Sequence, residues 1–97
     1  MAMFVVLGNL TEQGVKNLPN LRKVVDANME RGKRLGIKSH GWYLTQGHYD
    51  FVVLVEAPDA ETMLAQLVGV GGTGNMRTET LRAYSIDEVE QALKKVG

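Results

Sequence analysis

The sequence predicts an α+β fold, a four-stranded antiparallel sheet with helices on one face, and three observations carry the prediction. Residues 37–56, IKSHGWYLTQGHYDFVVLVE, hold two runs rich in aromatic and β-branched residues on either side of Gln46-Gly47, the composition of a β-hairpin. Residues 20–36 and 59–68 repeat apolar side chains at helical spacing, one segment before the hairpin and one after it. Strand-like segments at residues 4–7 and 76–84 open and close the series. The order is therefore strand, helix, strand, strand, helix, strand, followed by a last helix.

Each element has its own justification. Phe4 to Leu7 is a continuous apolar run closed by Gly8-Asn9, suited to a central strand covered on both faces. Thr11 can cap a short helical turn that Gly14 and Leu18-Pro19-Asn20 interrupt. Asn20 then caps a longer helix with the stripe Leu21, Val24, Val25, Asn28, Met29, Gly32 and Leu35, and Gly36 stops it. Its other face, Arg22, Lys23, Asp26, Glu30, Lys33 and Arg34, reads as a solvated surface.

A two-residue loop at Gln46-Gly47 pairs Thr45 with His48, Leu44 with Tyr49, Tyr43 with Asp50 and Trp42 with Phe51. That register places His40, Trp42, Leu44, Tyr49, Phe51, Val53 and Val55 on one face of the hairpin. Gly41, Tyr43, Thr45, His48, Asp50, Val52 and Leu54 fall on the other. Asp59 is a good N-cap for a second helix with the buried stripe Ala60, Met63, Leu64, Leu67 and Val68.

Residues 69–75, GVGGTGN, lie where a helix ends and a strand begins, the wrong order for a phosphate cradle, and read as a flexible connection. Residues 76–84, MRTETLRAY, alternate as a polar edge strand. Ser85-Ile86-Asp87-Glu88 forms a capping box, and Ile86, Val89, Leu93 and Val96 give the final helix its apolar stripe. The β-α-β-β-α-β core is the ferredoxin-like arrangement, which leaves one sheet face open.

Composition narrows the partners. Eleven basic and eleven acidic residues cancel, so no overall field draws the chain to nucleic acid or to an anionic membrane. The absence of cysteine removes disulfides, thiolate chemistry and cysteine-based metal sites. The longest apolar run, residues 51–55, is far too short to span a membrane, and the N-terminus does not resemble a signal peptide. The expectation is a single cytoplasmic domain over residues 1–97, with neither metal nor cofactor.

Gly41-Trp42-Tyr43-Leu44-Thr45, then Gly47, Tyr49-Asp50 and the run from Phe51 to Val55 ending in Glu56-Ala57-Pro58-Asp59, resemble the signature region of the GYD-domain family. Residues 75–83, NMRTETLRA, are similar to that family's last strand, and the opening from Phe4 through Asn17 fits as well. His48 separates Gly47 from Tyr49-Asp50. The resemblance spans nearly the whole chain and implies a ferredoxin-like α+β sandwich related to dimeric α/β-barrel proteins. It brings no activity with it, so no catalytic residue is carried over.

His40, His48 and Asp50 are the candidate catalytic groups. On opposite faces of the hairpin the two histidines do not share a metal site, whereas His48, Asp50 and Tyr43 fall on one face. Asp50, inside an apolar strand, calls for a partner such as Arg77 or Arg82. His40, Trp42, Tyr49 and Phe51 form an aromatic wall that, with Arg77, suits a ligand-binding surface or an intersubunit core.

The function expected is that of a small oligomeric module binding a small organic molecule or a partner protein through its open sheet face. The alternatives are a cofactor-free oxygenase or isomerase with a histidine base, and a purely structural assembly subunit. Two greasy sheet faces on one small domain also predict self-association, a homodimer or higher oligomer, with His40, Trp42, Tyr49 and Phe51 in the interface.

Overall fold

The computed structural model describes residues 1–97. Four strands, β1 (Ala2–Leu10), β2 (Lys38–Leu44), β3 (Phe51–Ala57) and β4 (Met76–Ala83), form one antiparallel sheet in the order β2-β3-β1-β4. Helices α1 (Glu12–Lys16), α2 (Leu21–Arg34), α3 (Ala60–Gly72) and α4 (Ile86–Val96) complete the ferredoxin-like α+β architecture, with a short 3-10 turn at Leu18–Asn20. β1 is central and β4 an edge strand, as the sequence predicts.

Local chemistry sets the helix ends. The Thr11, Asp59 and Ser85 side chains accept from the amides of Gly14, Thr62 and Glu88, and Glu88 returns the bond to the Ser85 amide. Gly36 ends α2 at a φ of +83°, open to glycine at no steric cost. Asn20 is the exception. Its amide donates to the Asn17 side chain, so it gives α2 no side-chain cap.

The core lies between the sheet and α2 with α3. Phe4, Val6, Val55 and Ala57 point from the sheet toward Ile37 and Met63. Strand alternation puts Trp42, Phe51 and Val53 on that same face and Met3, Val5, Leu7, Val52, Leu54, Glu56, Arg77, Glu79, Leu81 and Ala83 on the uncovered one. β1 is therefore covered on one face in this chain rather than two.

Three further expectations need correction. The hairpin register is displaced by two residues: Leu44 faces Phe51 and Trp42 faces Val53, and residues 45–50 form a longer loop. Gly47 does take a positive φ, +123°, but as part of that loop. Asp50 is held from both sides there: its carbonyl accepts from the Thr45 amide across the hairpin, and its amide donates to the Gly8 carbonyl of β1.

The second correction concerns α3. It runs through Gly72 and so absorbs half of the segment expected to be a loose connection. Only Met63 of its predicted stripe is buried, with Leu67 packed at the edge, while Leu64 and Val68 point to solvent.

The third is a bulge. Ser39 pairs with Val55 and Gly41 with Leu54, so His40 is an extra residue and side-chain alternation breaks there. Gly41, at φ +143°, also lets the Tyr43 ring lie against its Cα, where a Cβ would sit 2.7 Å from the ring.

Candidate functional site

Two surfaces are candidates, and the bulge decides what belongs to each. It turns His40 away from Trp42 and onto the uncovered sheet face, where Nε2 lies 2.6 Å from Glu56 Oε1 with both side chains about one-third exposed. Tyr49 reaches the same face from the loop and donates its hydroxyl to Glu79. That bond and the carboxylate's charge, with a smaller contribution from burial, raise the Tyr49 hydroxyl above its ordinary pKa.

Between these two polar corners run two apolar rows fixed by the strand registers. One crosses Tyr43, Val52 and Leu7 to Glu79. The next crosses Gly41, Leu54 and Val5 to Leu81. The open face is thus aliphatic with tyrosine at its rim, not the aromatic wall expected from the sequence. Trp42 and Phe51 instead stack on each other on the helix side, ring centroids 5.1 Å apart, and Phe51 is only 2 % exposed.

The second candidate is a cavity of about 70 Å³ between the layers, lined by Trp42 and Phe51 below and by Met29, Met63 and Leu67 above. It is small beside the roughly 300 Å³ at which pockets for drug-sized ligands begin. Asn28, Ser39, Gln66 and Thr78 are polar residues in its lining, and Gln66 carries an unmet hydrogen-bonding group. The side-chain amide donates to the Asn28 carbonyl at 2.7 Å, but Oε1 is buried with no hydrogen-bond partner in the protein. Helical periodicity gives Gln66 no role, and its signal in the sequence is that of a lone amide inside the apolar run from Met63 to Val70.

The expected catalytic groups do not converge. His48 is exposed in the loop, and His40 is engaged by Glu56 outside the cavity. Asp50 pairs with neither Arg77 nor Arg82: its carboxylate accepts from the Leu10 amide at 2.9 Å and ties the hairpin loop to the end of β1. Arg82 lies over the rings of Phe4 and Tyr84 and forms an ion pair with Glu88 at 3.6 Å, whereas Arg77 is exposed at the start of β4 and forms no ion pair. No group of three histidine or acidic side chains is placed to hold a metal. No helix is long and apolar enough to cross a membrane.

Comparison with known proteins agrees with this architecture. A crystal structure of a Thermus thermophilus protein superposes with a TM-score of 0.63 over 88% of this chain and 95% of that one, at 24% identity, which is a likeness of fold. A Thermus thermophilus relative called glutamine synthetase and cystathionine beta-lyase binding protein is 33% identical over 95 residues, covering 97% of this chain and all of its own. The GYD domain family model matches residues 4–93, nearly the whole of the sheet and its helices, and the chain belongs to the GYD-domain family.

Proposed function

We propose that this protein is a cytoplasmic, homodimeric docking module that binds another protein and carries out no reaction of its own. The name of its full-length relative, a binding protein for glutamine synthetase and cystathionine beta-lyase, supports protein rather than small-molecule partners. In this reading the open sheet face closes the dimer. The foreign protein meets the outer face of α3.

The observation that carries the assignment is the composition of α3. It holds a single charged residue, Glu61, in 13 residues, and its outward Leu64 and Val68 are 61 % and 66 % exposed. A surface helix normally turns a charged face to water, and one that is apolar all round is a helix built to be covered. Purified glutamine synthetase from the same organism provides the test, titrated in sedimentation velocity. Wild type should co-sediment, and Leu64→Glu with Val68→Glu should abolish the complex without dissociating the dimer. Equal binding by both proteins would refute the α3 surface. No complex with this enzyme would remove it as the partner.

A second reading rests on Gln66. Its unpartnered Oε1 at the wall of the interlayer cavity suits a small apolar molecule with one hydrogen-bond donor. Quenching or a shift of Trp42 fluorescence on titration with small phenols would support it, and saturable binding unchanged in Gln66→Leu would exclude Gln66 as the anchor.

A further inference from the structure

We propose that β4 is a self-pairing edge, hydrogen-bonded to β4 of a second copy of this chain across a two-fold axis at Thr78. The sheet then runs on from one chain into the other. This contact is separate from the one between open faces and does not depend on it.

The two edges of the sheet are built differently. β2, at one end, is interrupted by the bulge at His40 and by Gly41 at a φ of +143°. β4, at the other, runs for eight residues in unbroken register with β1 and contains no proline. The helix that follows does not cover it: every residue from Tyr84 to Gly97 is exposed, and α4 makes no extended contact with the sheet. Natural sheets break, charge or cover a long edge, because its free amides and carbonyls accept another strand. An edge left bare defines its own partner, an extended strand.

Hydrogen bonds inside the chain show which groups are free. The Thr11 amide donates to the Asn75 carbonyl at 3.0 Å, and the pairing of β1 with β4 continues from there. Antiparallel strands alternate between pairs that exchange hydrogen bonds and pairs that do not. Arg77, Glu79, Leu81 and Ala83 therefore turn their backbone groups to β1. Gly8 and Leu10 fit the same alternation, since the carbonyl of one and the amide of the other turn to Asp50 on the β3 side. The amides and carbonyls of Met76, Thr78, Thr80 and Arg82 point outward from the edge.

The side chains of β4 select a second copy as the strand that binds there. A two-fold axis normal to the sheet keeps like faces together, so residues opposite each other are both odd-numbered or both even-numbered. An axis through Glu79 puts two carboxylates face to face. One through Thr80 sets Glu79 against the partner's Leu81 and Arg77 against the partner's Ala83. An axis through Thr78 sets Arg77 against the partner's Glu79, twice over, and about six backbone hydrogen bonds form between residues 76–80 of the two chains. Opposite charges directly across a strand pair stabilise it, and like charges oppose it.

Both charges are available. Arg77 is exposed and enters no ion pair, and Glu79 has no cation either: its Oε2 accepts from the neutral Tyr49 hydroxyl, which leaves Oε1 free. The other charged groups of the sheet do not intervene. Arg82 is held by Glu88, while Lys38, His40 and Glu56 lie on β2 and β3, with β1 between them and β4. The axis at Thr78 is normal to the sheet, whereas an axis packing two open faces together lies parallel to it. The two contacts are compatible, and perpendicular two-folds close a tetramer.

The test uses the full chain, whose lack of cysteine makes introduced thiols unambiguous. The two Thr78 Cα atoms stand about 5.5 Å apart at the axis, within the span of a disulfide, whereas the two Arg82 Cα atoms are roughly 27 Å apart. Under mild oxidation Thr78→Cys should give a covalent dimer, and Arg82→Cys, exposed on the same side of the strand, should not. No bridge at Thr78→Cys, or equal bridging by both, overturns the pairing. Sedimentation velocity at tens of micromolar gives the second measurement. Thr78→Pro removes the amide at the axis, a change that an edge strand tolerates, and should halve the sedimenting mass while far-UV circular dichroism still reports the fold. An unchanged mass overturns the edge contact and leaves the face dimer standing, and a monomeric wild type overturns both. Arg77→Glu, an exposed substitution, should weaken association at least tenfold, and adding Glu79→Arg should restore it. A double variant as weak as the single one overturns the register.

Discussion

Gly8 of β1 and Phe51 of β3 face each other in the sheet register. A Cβ at Gly8 would lie 2.0 Å from Phe51 Cζ and 2.3 and 2.5 Å from the two Cε atoms. The ring is 2 % exposed and stacked on Trp42 at an interplanar angle of 16°, so its one retreat is toward the interlayer cavity, at the expense of that stack. Gly8→Ala must therefore displace Phe51 from its packed position. Overpacking a core costs about 1–3 kcal/mol. Disturbing an aromatic pair adds about 0.5–1.5 kcal/mol, and the higher strand preference of alanine returns about 0.5. The expected loss is about 3 kcal/mol.

Urea unfolding followed by the fluorescence of Trp42, the sole tryptophan, measures the loss through the midpoint at constant m-value. Phe51→Leu alone should cost on the order of 1–2 kcal/mol. Since it clears the space that the methyl introduced by Gly8→Ala would need, the double variant should be more stable than the sum of the singles by at least about 1 kcal/mol. Additivity within about 0.5 kcal/mol would refute the clash.

Asp50→Ala should destabilise by about 1.5 kcal/mol, the low end for a charge-assisted hydrogen bond because the residue is half-buried, as read by the same urea titration. A loss above about 3 kcal/mol would instead indicate a buried ion pair. The Thr62 amide holds the Asp59 carboxyl below its ordinary value of 3.8, so Asp59 contributes stability that is fully present above 3.8 and is lost as pH falls through the folded value. Asp59→Asn keeps a neutral cap. Its melting temperature should match wild type at pH 7 and fall less steeply below pH 4, and parallel acid limbs would contradict the assignment.

How much was legible in the sequence depended on the range of the interaction. The caps at Thr11, Asp59 and Ser85, the stop at Gly36 and the alternation of β4 rest on contacts within about four residues, so they could be read before any fold was known. The order of elements followed from periodicity, and with the GYD signature it led to the ferredoxin-like sheet.

The sites were set by contacts that cross the chain. Asp50 takes its partners from β1, 40 residues earlier, whose Leu10 amide donates to its carboxylate and whose Gly8 carbonyl accepts from its amide. His40 parted from Trp42 because one extra residue in β2 reverses alternation, and Glu56 on β3 holds it there. Likewise, periodicity marks Leu64, Val68 and the α4 stripe as apolar, but only the placement of α3 and α4 against the sheet decides which of these residues this chain covers itself. Alternation and periodicity assign relative faces. Strand registers, bulges and helix docking assign them to core or surface, because those depend on partners that sequence spacing does not specify.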